Sequence, residues 1–145
     1  MSQRSVLLFA ALVMLFQVQA HSQNLGGSTP QIVARVSLTG QTGPISPTTL
    51  LSPTQDAMYR ISAVMVITTA NSGAGFWSIN LGFAPDTGPT TVSIAQINSN
   101  QIGGGINFYT TAFRSDAGHP ITYSVVDHNG AEGSTYELFI VLERL

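Results

Sequence analysis

Cysteine is absent from all 145 positions. Disulfides, thiolate-built zinc sites and a lipid-bearing cysteine are thereby excluded. Lysine is absent as well, and the basic residues Arg4, Arg35, Arg60, Arg114 and Arg144 are scattered. Phosphate-backbone recognition needs a Lys/Arg patch that releases counterions, so nucleic acid and anionic membranes are not expected partners. Asn-x-Ser/Thr sequons are missing, and no N-glycosylation is expected. These absences suit a bacterial exported protein better than a eukaryotic secreted one.

One apolar run stands out, "VLLFAALVMLF" from Val6 to Phe16. It is short for a membrane span, which needs about 20 residues. With Arg4 before it and "VQA" after it, residues 1–20 read as a signal peptide, a helix cleaved near Ala20. The alternative is an uncleaved anchor. The expected product is soluble, without stable membrane insertion, and periplasmic or secreted. "HSQNLGGSTP" (21–30) is aperiodic and rich in chain breakers, the pattern of a flexible leader. Residues 31–145 are the size of one domain. Beyond residue 20 there are four arginines and seven acidic residues, but 28 serines and threonines. The surface is thus neutral, hydrogen-bonding and β-prone.

Strand periodicity recurs along this domain. "QIVARVSLT" alternates Ile32, Ala34, Val36 and Leu38 against Arg35, Ser37 and Thr39. A loop is expected over 40–47, then a short apolar piece at Leu50 and Leu51. Further strands are expected over Met58–Thr69, "FWSINLGF", "TTVSIAQI", "INFYTTAF", "ITYSVV" and "TYELFIVLERL", with turn signals between them. No 3.6-residue period competes and no repeat is visible. Roughly eight strands predict an all-β, antiparallel two-sheet sandwich of jelly-roll type. An eight-stranded membrane barrel is the structural rival, but "QIVARVSLT" lacks the aromatics of an outward girdle.

Two strands are apolar on both faces. In the first, Tyr59, Ile61, Ala63, Met65 and Ile67 share one face, while Val64 and Val66 lie on the other. In the last, Tyr136, Leu138, Ile140 and Leu142 oppose Phe139 and Val141. A sandwich strand needs one buried face. The second face calls for a cover, either a loop or leader of the same chain or another subunit.

"LSPTQDAMYRISAVMVITT" together with the C-terminal "STYELFIVLERL" resembles the framework of the C1q/TNF-like jelly rolls. That framework has a "P-x-x-G-x-Y" strand in mid-chain and an apolar strand pair. Pro53, Tyr59 and the last strand match in kind and order. Asp56, Ala57 and Met58 stand where the glycine is expected. The resemblance covers two strands of about eight. It implies a homotrimer whose inner strands carry Tyr59 and Phe139. The candidate interface is Tyr59, Val64, Val66, Phe139 and Val141.

Catalytic and metal signals are few. Asp116 and His119 lie at one end of the 121–126 strand, Asp127 and His128 at the other, roughly 20 Å apart at about 3.3 Å per residue. No single metal site containing all four is expected, and no cofactor is implied. G-x-S-x-G, H-E-x-x-H and S-x-x-K are absent, as is an Asp-x-Asp-x-Asp-Gly calcium loop. Gly103–Gly105 lacks the strand-to-helix setting of a phosphate loop and reads as a hairpin tip. Trp77 is a candidate sugar-stacking residue if exposed. Its phase with Ile79, Leu81 and Phe83 points to the core. The expected role is an exported, non-enzymatic, oligomeric structural or interaction module. A carbohydrate- or surface-ligand-binding module is the alternative, and a hydrolase comes last.

Overall fold

The computed structural model describes residues 29–103 and 109–145. The expected signal peptide, the leader up to Ser28, Gly104 and Gly105, and the first residues of the expected "INFYTTAF" strand lie outside the described residues. Eight strands follow in order: β1 (Gln31–Gln41), β2 (Ile45–Leu51), β3 (Ala57–Thr69), β4 (Phe76–Phe83), β5 (Thr90–Asn98), β6 (Tyr109–Ser115), β7 (Ile121–His128) and β8 (Thr135–Arg144).

They form two four-stranded sheets, β1-β8-β3-β6 (sheet A) and β2-β7-β4-β5 (sheet B). β1 pairs with β8, β2 with β7, β3 with β6 and β4 with β5, always antiparallel. That is the pairing of one long hairpin whose tip is the β4–β5 turn. Rolling it up lays β3 against β8 and β4 against β7, which completes both sheets. The result is a jelly-roll sandwich. Two separate sheets stand where the rival barrel would need one closed ring.

Alternation decides which side chains enter the space between the sheets. From sheet A come Tyr59, Ile61, Ala63, Met65 and Ile67, with Tyr136, Leu138, Ile140 and Leu142 beside them; all are buried. Sheet B answers with Trp77, Ile79, Leu81, Ile121, Tyr123 and Val125. Trp77 and Tyr136 meet across the gap with ring centroids 5.0 Å apart. Burying one such large side chain stabilises by about 1.5–3 kcal/mol, so the common interior holds the two sheets together.

One stretch differs from expectation. The expected loop over 40–47 is shorter, because β1 continues to Gln41 and β2 already begins at Ile45. Pro47 sits inside β2, where the register with β7 shifts between Ile45 and Thr48. β2 is an edge strand, and an irregular edge tolerates a residue that cannot donate to the ladder.

One end of the sandwich is tied by polar groups. The Asn71 amide donates to the carbonyls of Gly130, Ala131 and Glu132 at 2.9, 3.3 and 3.2 Å. The buried Trp77 Nε1 donates to Ser134 Oγ at 2.8 Å, and Ser134 Oγ in turn donates to the Ala131 carbonyl. Gly75 lies against the backbone of Gly130 and Ala131, where any Cβ would collide with main chain. At the same end, the Tyr136 hydroxyl donates to the Gly43 carbonyl at 2.8 Å and ties in the β1–β2 loop.

Candidate functional site

With the interior filled by the core, the outer faces of the two sheets are what remains to act on other molecules. On sheet A, the outward positions of β3 and β8 include Val64, Val66, Phe139 and Val141. Val64 is directly opposite Phe139, and the latter also faces Ser37 on β1. Val66 and Val141 lie on the diagonals, within reach of the ring. Phe139 is 37% exposed, and the three valines are half-buried by their neighbours. No described element is layered over them.

The margin of this strip carries charge. Arg60 and Glu143 face each other across β3 and β8 and form an ion pair of 2.6 Å. The Arg60 hydrogen bond holds the Glu143 carboxyl below the usual carboxylate range. Arg35 stands opposite Val141, and Glu137 opposite Val66. Neither makes an ion pair with another described residue. A positive and a negative side chain therefore lie free at opposite ends of one apolar strip.

Tyr59, expected at the interface, is placed elsewhere. It is 3% exposed and stacks on Phe113 with centroids 5.9 Å apart. Five positions separate it from Val64, and an odd separation sends the two to opposite faces of a strand. Tyr59 is thus a core residue of its own chain. The outer face keeps Val64, Val66, Phe139 and Val141.

Trp77 is 0% exposed and offers no surface to a sugar. Asp116 and His119 precede β7, while Asp127 and His128 end it. Among the described residues no group of three or more His, Asp or Glu could hold a metal ion. Asp116 belongs instead to a surface cluster in which Asp56, Asp86 and Asp116 surround Arg114. The Ala117 N–H bonded to Asp56 at 2.9 Å, with Arg114 beside it, holds that carboxyl below its ordinary value.

One contact was invisible in the sequence. Ser78 Oγ and His128 Nε2 are 2.9 Å apart on the outer face of sheet B, and the imidazole stacks on Phe76 at 4.5 Å. Fifty residues separate the two, and only the pairing of β4 with β7 brings them together. A serine and a histidine in contact are two parts of a hydrolytic triad. The third part is missing among the described residues. Asp127, next in sequence, points to the opposite face and accepts the Ala131 N–H at 2.6 Å. Ser78 is only 2% exposed.

The rest of that face is uncharged. Asn80 pairs with Ser124, and Gly82 lies between Thr91 and Thr122. These side chains hydrogen-bond to no other described residue.

No protein-family model matches the chain, and no curated protein does. Among solved structures it is similar to the Clostridium thermocellum N-terminal endo-1,4-beta-D-xylanase 10B, with its CBM22-1 and GH10 modules, complexed with xylohexaose. The identity is 10%, covering 81% of this chain and 24% of that one, at a TM-score of 0.43. The infectious bursal disease virus Gx strain structure gives 14% identity over 79% of this chain and 31% of that one, at 0.40. Eiger TNF from S. frugiperda gives 15% identity over 81% and 94%, at 0.37. The chain thus spans between about a quarter and a third of the first two structures. Its own strand order defines the class, an all-β sandwich of jelly-roll type.

Proposed function

We propose that the chain is an exported, non-enzymatic β-sandwich that works by self-association, as a homotrimer built on the outer face of sheet A. One observation carries this reading: Val64, Val66, Phe139 and Val141 form an apolar strip with no described element over it. Apolar surface of this kind on an outer face is stabilised by being covered. A second copy suits the strip because Arg35 and Glu137 give it ends of opposite charge. Each copy can set its positive end beside a neighbour's negative end. Export follows from the apolar run at Val6–Phe16 and the small residues that follow it. Light scattering on the purified protein tests the assembly: the expected mass is that of three chains, and Phe139→Glu releases single folded chains. A wild-type monomer at micromolar concentration removes the proposal.

A second reading, a carbohydrate- or surface-ligand-binding module, is favoured by the uncharged outer face of sheet B. The hydrolase reading stands last, because the Ser78–His128 pair has no carboxylate partner among the described residues.

A further inference from the structure

We propose that the outer face of sheet B carries a binding site for a neutral saccharide, centred on a notch at Gly82. The site deepens the second reading above and is independent of self-association, which uses the opposite sheet.

A groove of about 220 Å³ opens where β4, β5 and β7 run side by side. Gly82, on β4, is its floor, flanked by Thr91 and Thr122. A Cβ at position 82 would come within 2.5 Å of Thr122 Oγ1, so the threonine hydroxyl leans into the space that the glycine leaves. The glycine is what lets that hydroxyl lie close to the backbone of an inner strand. Pro89 and Pro120 make one wall. The Phe83 ring turns inward, in phase with Leu81, and packs on the core residue Phe113 with centroids 4.7 Å apart, so only its neighbour Gly82 faces outward. Thr90, Thr91, Thr122 and His119 supply the polar rim, and none of their side chains hydrogen-bonds to another described residue.

The chemistry of the lining selects the ligand. It holds no lysine, arginine, aspartate or glutamate, so nothing there recognises a phosphate, carboxylate or ammonium group. A sugar ring has a C–H face for an apolar wall and a rim of hydroxyls that both donate and accept. Threonine hydroxyls and an imidazole do the same. The volume lies below the roughly 300–1,000 Å³ of drug-sized pockets, which fits one ring or a chain end. Trp77, the aromatic that the sequence offered for this role, is in the core. The two prolines take its place.

Titration of the ¹⁵N-labelled protein with glucose, galactose, xylose and N-acetylglucosamine tests the site, with glucuronate and glucosamine as charged comparators. A neutral sugar is expected to shift the amides of Gly82, Thr91 and Thr122 saturably. Replacing Thr122→Val and His119→Ala together removes two rim groups and weakens binding by roughly tenfold while the spectrum stays folded. Gly82→Ala fills the notch and has the same direction of effect. Phe139→Glu, which breaks the self-association, leaves sugar binding intact. The proposal is overturned if no neutral sugar shifts these amides, if the shifts map elsewhere, or if the charged sugars bind equally well. It also falls if the Thr122→Val, His119→Ala variant binds as tightly as the parent.

Discussion

The outer faces of the two sheets are made by the same kind of strand and carry opposite chemistry. On sheet A the centre of the face is Val64 beside Phe139, with Val66 and Val141 on the diagonals. On sheet B the corresponding centre is Asn80 beside Ser124 and Gly82 beside Thr122, with Val126 the one aliphatic exception. The inner faces of both sheets are mainly apolar because the sandwich demands it. The outer faces are under no such demand, so the side chains there report on what each face meets. An apolar strip meets another surface that excludes water; a row of hydroxyls and amides meets water or a polar ligand.

The strongest way to erase the contrast is through the interior that the two faces share. Trp77→Ala removes a fully buried indole and leaves Ser134 Oγ without its donor. A loss of about 3–5 kcal/mol is expected, read by urea denaturation with both sheets melting together. High pH acts next. Burial, with a further contribution from Tyr123, pushes the Tyr136 phenol up to about 12. Below the ordinary tyrosine pKa near 10, the phenol is neutral in both folded and unfolded chains, and pH has no effect through it. Above 10 the unfolded chain ionises first, so stability falls as pH rises towards 12, by about 2–3 kcal/mol in all. Tyr136→Phe cannot ionise and flattens that slope, at the loss of one hydrogen bond worth about 1 kcal/mol.

Phe139→Glu separates the faces directly. A central aromatic in a packed contact is worth about 2 kcal/mol or more, enough to shift an assembly towards single chains at micromolar concentration. Far-UV circular dichroism is expected to stay that of a β-protein. The smallest effect belongs to Ser124→Glu on the other face. Stability is expected to move by no more than about 0.5 kcal/mol, with the assembly unchanged by light scattering. If Ser124→Glu disperses the assembly and Phe139→Glu does not, the roles of the two faces are reversed.

The strands were legible because alternation and turn residues are local. "ISAVMVIT" has a period of two whatever surrounds it, and "HNG" supplies left-handed backbone at Asn129 and Gly130, with φ of 59° and 78°. Trp77 declared itself a core residue by sharing a phase with Ile79 and Leu81. The Asn-Gly turn did not reveal which strands it joins. β7 and β8 lie in different sheets, so that turn crosses the sandwich and closes no hairpin. Nor was Tyr59 correctly assigned to an interface. The resemblance to C1q/TNF-like domains named the residue, while parity along β3 sent it inward. The groove at Gly82 gave no signal, since its lining forms only when residues 119–122 are laid beside the hairpin over 82–91.

Local chemistry alone therefore determined the all-β character, the positions of most strands and turns, and the existence of ribbons greasy on both sides. Each of these follows from the backbone's two-residue repeat and from side chains a few positions apart. Tertiary structure decided which strands became neighbours, which face of each ribbon turned inward, and that Ser78 would touch His128. Those outcomes depend on pairings across tens of residues, where the free energy of closing the sandwich belongs to no single segment.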